Sequence, residues 1–165
     1  MNDVAPGEEG EIAARGPEQF IGYRDTALDE ISFLPGGWFL TGDIGRMDAD
    51  GYLTITDRKK DVIIRGGENI ASKEVEDILA RHPAVAEAAV VGMPDEKYGE
   101  KVCAFVLLRP GTQFTLADAQ LHFANEKVAR QKTPERIVVI DEFPRAMSGK
   151  VKKFELRAQL REGTI

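Results

Sequence analysis

The sequence is short of several things at once, and each shortage removes a class of protein. There is one cysteine, Cys103, so no internal disulfide can form, and the chain reads by default as cytoplasmic. His82 and His122 stand forty positions apart and share the chain with that one cysteine, so no metal-ligand spacing is present. No long apolar run exists: the longest clean one is residues 102–108, far below a membrane span. The start, Met-Asn-Asp-Val-Ala-Pro-Gly-Glu-Glu, has no basic stretch followed by an apolar one, so it does not read as a secretory signal. Excess positive charge is also missing. The formal net charge is -6, whereas a nucleic-acid binder advertises a basic balance. No internal repeat or low-complexity segment is visible.

What remains is an ordinary soluble composition, 42% hydrophobic and 30% charged over 165 residues. That length suits one domain, or one domain with part of another. The first third reads as turns and short strands. Pro6-Gly7-Glu8-Glu9-Gly10 is a turn cluster before a short strand at 11–15, and Pro35-Gly36-Gly37 is another turn. Asp48-Ala49-Asp50-Gly51 is a hairpin-type turn leading into the alternating Tyr52-Leu53-Thr54-Ile55-Thr56. No helical stripe shows before residue 57, and the region lacks the apolar runs needed to close a core alone. It is expected to pack against something beyond itself.

The remainder has a different pattern. A short strand at 62–65 enters Gly66-Gly67, where positive φ or close backbone approach is expected. Ser72 can cap a helix with Val75, Ile78 and Leu79 inward and with Glu74 and Glu76 in its first turn. Pro83 ends that helix. Residues 85–93 and 102–108 read as buried strands, and 137–140 as a third. Thr115 with Asp118 resembles a capping box, opening a helix with Ala117, Leu121, Ala124 and Val128 on one face. A last amphipathic helix at 153–161 turns Leu156 and Leu160 inward and meets Gly163 just past its end. The fold class is α+β: a short three-stranded sheet with flanking helices and a β-hairpin, preceded by a β-rich segment.

Four stretches can carry chemistry. Gly37-Trp38-Phe39-Leu40-Thr41-Gly42-Asp43 ends on a carboxylate, which offers only acceptors and so suits ribose hydroxyls. Taken alone it reads as a turn aspartate. Asp57-Arg58-Lys59-Lys60-Asp61 reads as a solvated linker or hinge. Arg65-Gly66-Gly67-Glu68-Asn69-Ile70 lets a ligand lie against backbone, or is an ordinary hairpin; it lacks the dinucleotide Gly-x-Gly-x-x-Gly spacing. Pro144-Arg145-Ala146-Met147-Ser148-Gly149-Lys150 puts a lysine on a pliant loop, which is otherwise a surface lysine. It is no phosphate-binding P-loop, since Arg145 stands where the first glycine belongs and Val151 where Ser or Thr belongs. Cys103 reads as a core thiol, and neither histidine is given a catalytic role.

In order and spacing, these four stretches resemble the closing motifs of adenylate-forming acyl-CoA synthetases, over essentially the whole chain. Residues 6–12, Arg15-Gly16-Pro17 and Gly22-Tyr23 look like the last segment of that family's large domain. The resemblance implies that residues 1–57 end the large AMP-binding domain and that 58–165 form its mobile C-terminal domain. It implies that Asp43 binds the ribose of ATP or AMP, that Arg58 touches the same nucleotide, and that Lys60 is the hinge. Gly66, Gly67, Glu68 and Asn69 would line the pantetheine tunnel, with Tyr98 and Lys132 as further CoA contacts. Lys150 would be catalytic, reaching the acyl carboxylate and α-phosphate. Substrates would be a carboxylic acid, a fatty one by preference, with ATP and CoA; the magnesium accompanying ATP would be held mainly by the large domain, and no prosthetic group is implied. Ala146 departs from the threonine the family often has there, removing one possible hydrogen bond beside the lysine. The phosphate loop, adenine segment and acyl pocket would lie upstream, so this sequence alone is expected to be inactive. Two other classes fit the same motifs. One is the end of a peptide-synthetase adenylation domain or luciferase-like enzyme; the other is a non-catalytic binding module.

Overall fold

The structure, a computed structural model, describes residues 3–165. The chain divides into two compact units, Met1–Lys60 and Asp61–Ile165.

In the first unit, β1 (Glu9–Ala14), a six-residue helix α1 (Ala27–Ser32), β2 (Phe33–Leu34), β3 (Trp38–Met47) and β4 (Leu53–Arg58) follow in order. The long strand β3 is the spine: β1 and β4 pair with it along its length, and β2 pairs with its start, all antiparallel. The turn at 48–52 is closed by the Asp48 carboxylate, whose Oδ1 accepts from the amides of Asp50 and Tyr52. The short helix α1 was not expected. It buries no residue and has no side-chain cap, so it has no apolar stripe to betray it. An aromatic group of Phe20, Tyr23, Phe33 and Phe39, with ring centroids 5.0–5.5 Å apart, holds this unit together. No hydrophobic side chain among its described residues is fully buried, and Ile21 and Ile31 stand in the open. The expected shortage of core is therefore real.

The second unit runs β5 (Ile63–Arg65), β6 (Glu68–Ile70), α2 (Ser72–Ala80), β7 (Val85–Asp95), β8 (Gly99–Leu108), α3 (Leu116–Asn125), β9 (Arg136–Val139) and α4 (Lys153–Glu162). The expected three strands and the hairpin form one five-stranded sheet. The strand β8 is central: β7 pairs with it antiparallel over its whole length, β5 joins at Arg65↔Gly99, and β9 runs parallel from Cys103↔Arg136. Both faces are covered. On one, Val90, Val102, Ala104 and Val106 pack with Val75, Ile78 and Leu79 of α2 and with Ala119 and Phe123 of α3. On the other, Ala89, Val91, Cys103 and Phe105 pack with Phe143 and with Leu156 of α4. This two-sided burial is why 85–93 and 102–108 read as unbroken apolar runs instead of alternating ones.

Three local expectations are corrected. Ser72 does not cap α2: Ala71 holds the cap position without a side-chain bond, while Ser72 is fully buried and its hydroxyl accepts from Lys153 at 2.8 Å. Glu76 is not spent on the helix dipole; it accepts from the Val90 amide at 2.8 Å and pairs with Lys153 at 2.6 Å, tying α2 to β7 and α4. The capping box Thr115–Asp118 is present, but α3 buries Ala119 and Phe123 instead of Ala117 and Leu121, and Leu121 is 64% exposed. The true stripe was masked because polar His122 lies on it, half-buried beside Phe123.

Candidate functional site

Apart from Lys60 and Lys132, the predicted residues gather into three places, one in the first unit and two in the second. In the first unit, Asp43 and Arg58 face each other across the antiparallel register of β3 and β4, and Arg58 Nε donates to Asp43 Oδ1 at 2.9 Å. Gly42, at φ +73, lets the strand turn just before the carboxylate. Thr41 fixes that bend: its hydroxyl donates to the Ile12 carbonyl at 2.9 Å and accepts from the Asp43 amide at 3.1 Å. The result is a carboxylate and a guanidinium presented side by side, 25% and 51% exposed. A shallow cavity of about 300 Å³ lined by Gly7, Arg46, Met47, Asp48 and Thr54 lies towards the turn end of the same strand pair and holds none of the predicted residues.

The charge run 57–61 is less solvated than its composition implies. Asp57 is buried and accepts from the Arg58 amide, Lys59 pairs with Glu11 at 2.7 Å, and Asp61 is buried against Arg157 at 2.5 Å. Residues Lys59–Asp61 make a single 3-10 turn, so Lys60 stands in the last turn before the second unit begins.

The second place is the turn between β5 and β6. Gly66 and Gly67 both have positive φ, +60 and +89, as a two-residue hairpin turn requires. A Cβ on Gly66 would stand 3.3 Å from the Tyr98 ring, while one on Gly67 would meet nothing within 4 Å. Gly67, Glu68 and Asn69 thus line an open edge. The Gly66 amide donates to the Tyr98 carbonyl at 2.8 Å, joining two predicted parts. The Arg65 guanidinium lies 4.2 Å over the Tyr98 ring and forks onto both oxygens of Glu135 at 2.9 Å. The arginine holds the Glu135 carboxyl below its usual range. Lys97, hydrogen-bonded to the Tyr98 phenol, and then Arg65 draw that phenol below the usual tyrosine value. Lys132 is elsewhere engaged: its Nζ donates to both oxygens of Glu74 on α2 at 2.7 Å, not to the glycine turn.

The third place is the loop before α4. Its arms meet at the bridge Arg145↔Val151, with Ala146 N to Lys150 O at 2.9 Å and Gly149 N to Ala146 O at 2.9 Å. Gly149 sits at φ +82, supplying the reversal. Lys150 is exposed, and among the described residues its ammonium has no hydrogen-bond or ion-pair partner. Sequence reasoning missed the side chains that brace these places, namely Glu135, Glu87 and Glu100. Each pairs across 36 to 70 positions of chain, with no local pattern to mark it. Cys103 is fully buried and its thiol is pushed up to about 12 by burial, so it takes no part.

A five-stranded sheet carrying a glycine hairpin and a braced lysine loop defines a class. Residues 74–150 match the family described as AMP-binding enzyme C-terminal domain. Residues 74–150 therefore carry the C-terminal domain of the adenylate-forming, AMP-binding enzymes. It is 50% identical over 164 residues to a medium-chain fatty-acid–CoA ligase of Escherichia coli, covering 95% of this chain and 28% of that enzyme. Among solved structures, ATP-bound MatB from Rhodopseudomonas palustris matches with a TM-score of 0.90 at 34% identity, over 98% of this chain and 32% of that one. The amide bond synthetase McbA from Marinactinospora thermotolerans matches with a TM-score of 0.85 at 34% identity, over 95% and 32%. The chain thus spans under a third of the length of these proteins. Among the described residues no helix is long and apolar enough to cross a membrane, and no cluster of ligating side chains suits a metal.

Proposed function

We propose that this chain is the C-terminal part of an ATP-dependent acyl-CoA ligase that activates a carboxylic acid, a fatty one by preference, as acyl-AMP and passes it to CoA. The observation that carries the reading is Lys150: an exposed ammonium with no partner among the described residues, at the end of a loop closed by backbone hydrogen bonds. A carboxylate attacking the α-phosphorus of ATP brings two anions together. A lysine aimed at the charge developing there lowers the barrier. In this reading Asp43 and Arg58 hold the nucleotide ribose at the end of the large domain, which residues 1–57 complete. Residues 58–165 swing about Lys60. Once the adenylate exists, the turn of Gly66, Gly67, Glu68 and Asn69 replaces Lys150 at the site and guides the pantetheine thiol to the acyl carbonyl, with Tyr98 beside it. Lys132 is the weaker CoA contact, because Glu74 already holds its ammonium. The large domain would bind the acid, the triphosphate and its magnesium, in the cytoplasm.

The test is a partial reaction in a full-length enzyme carrying this segment. Lys150→Ala is expected to lower adenylate formation by about two to three powers of ten. It should leave thioester formation from synthetic acyl adenylate and CoA near normal. An equal fall in both steps overturns the two-state assignment of Lys150. The likeness to an amide bond synthetase favours one second reading, acyl transfer to an amine. Supplying amines in place of CoA after adenylation separates the two.

A further inference from the structure

We infer that Arg145 and Glu87 form a clamp that positions Lys150, a role that rests on the reading of Lys150 above. The bonds within the loop, Ala146 N to Lys150 O and Gly149 N to Ala146 O, fix its internal shape but do not attach residues 146–150 to the sheet. Among the hydrogen bonds and ion pairs of the described residues, one side chain makes that attachment. Arg145 Nη1 donates to the Gly149 carbonyl at 2.9 Å, and Nη2 of the same guanidinium donates to Glu87 Oε2 at 2.5 Å. Glu87 belongs to β7 and is in register with Leu107 of β8, so its backbone is part of the sheet. The guanidinium also lies 5.8 Å from the ring of Phe143, which is buried in the core.

The accepted carbonyl matters because of its place in the chain. It belongs to the peptide group whose nitrogen is that of Lys150, so its direction sets the direction in which the lysine leaves the backbone. Gly149, at φ +82, can rotate more freely than any other residue in the loop. The clamp therefore acts on the most pliant bond, immediately before the catalytic side chain. A planar fork is required, with two donors held at a fixed angle to two acceptors; a lysine offers a single point charge. Both side chains are over one-third exposed, so the pair adds little to global stability. Its effect is on geometry.

The experiment uses amide hydrogen exchange in this chain and half-reactions in the full-length enzyme. Arg145→Lys and Glu87→Gln should each speed exchange of the Ala146 and Gly149 amides by roughly tenfold, with the thermal midpoint unchanged. The exchanged pair Glu87→Arg with Arg145→Glu should restore nothing, because a glutamate cannot donate to the Gly149 carbonyl. Arg145→Lys should slow adenylate formation roughly tenfold to a hundredfold, as misplacing a catalytic group does, and leave thioester formation from acyl adenylate unchanged. Unchanged exchange in Arg145→Lys, or recovery in the exchanged pair, overturns the clamp. If Lys150→Ala spares adenylation, the reading of Lys150 fails instead, and the exchange data still decide the clamp. If Lys150→Ala abolishes adenylation but Arg145→Lys does not slow it, the positioning role fails alone.

Discussion

Gly66 and Gly67 are neighbours in one turn, yet space around them differs. Gly66 is hemmed in by the Tyr98 ring, while Gly67 faces open space at φ +89. The first glycine is needed for packing and conformation, the second for conformation and for what passes in front of it. A Cβ at 67 meets no protein atom within 4 Å, so the direct cost to the fold is the strain of a left-handed backbone, about 1–2 kcal/mol. Its cost to function falls on whatever uses the open edge. Gly67→Leu should therefore slow thioester formation while leaving adenylate formation within about threefold, a small fraction of the effect of losing a charged donor. Stopped-flow measurement of each half-reaction checks this. Equal losses in both would point to collapse of the turn. Gly92 makes a contrasting case: a Cβ there would run into the Glu100 carboxylate, which also accepts from the Ile64 amide at 2.8 Å. That glycine serves the sheet rather than a ligand.

At the scale of elements, the strands of the second unit were legible because two-sided burial leaves plain apolar runs, and α4 because Leu156 and Gly163 mark its face and its end. The glycine hairpin and the lysine loop were legible as turns, since both need positive φ. What stayed hidden depends on distant partners. The buried face of α3, the work of Ser72 and Glu76, and the ion pairs around Tyr98 are set by tertiary contacts that no window of sequence contains. The α2–α3 contact shows this best. His82 at the end of α2 packs edge-on against His122 of α3 at 5.1 Å, and against Phe114 at 4.7 Å. His82 Nδ1 accepts from the Ala84 amide at 3.2 Å, and His122 Nε2 bonds the Ile78 carbonyl at 2.8 Å. Burial, and then the charge His122 can carry, lower the His82 pKa; Asp118 opposes them, and the Arg81–Glu126 pair flanks the contact between α2 and α3. A proton on Nδ1 would also remove the acceptor for Ala84. A base whose folded pKa is depressed binds protons more readily when unfolded. Its contribution is therefore complete above the unfolded value, near 6.5, and is lost as pH falls below it. The urea midpoint of the second unit should drop between pH 7 and 5.5. His82→Gln, which keeps an acceptor but does not titrate, should flatten that drop. A slope unchanged by the substitution would place the pH dependence elsewhere.

At the scale of the molecule, the two units are unequal. The second has a core on each side of its sheet and folds around it; the first has an aromatic cluster, no fully buried hydrophobic side chain among its described residues, and exposed Ile21, Ile31 and Ile55. The chemistry is unequally shared as well. One carboxylate–guanidinium pair lies in the first unit, and the glycine turn and Lys150 lie in the second. Adenylate formation needs a triphosphate and an acid held together in attacking geometry, which is where most of the rate comes from. In the reading proposed above, the groups present hold part of a ribose and neutralise one charge, and the open cavity of about 300 Å³ lined by Gly7, Arg46, Met47, Asp48 and Thr54 is no enclosed pocket for an acyl chain. Purified as these 165 residues, the protein should therefore show background ATP–pyrophosphate exchange with fatty, branched and aromatic acids alike. Circular dichroism and exchange protection of β7 and β8 would establish that the second unit is folded in the same sample. Acid-dependent exchange above background would mean that the chain binds both substrates without the remaining length of its relatives, and that the division of labour proposed between the domains is wrong.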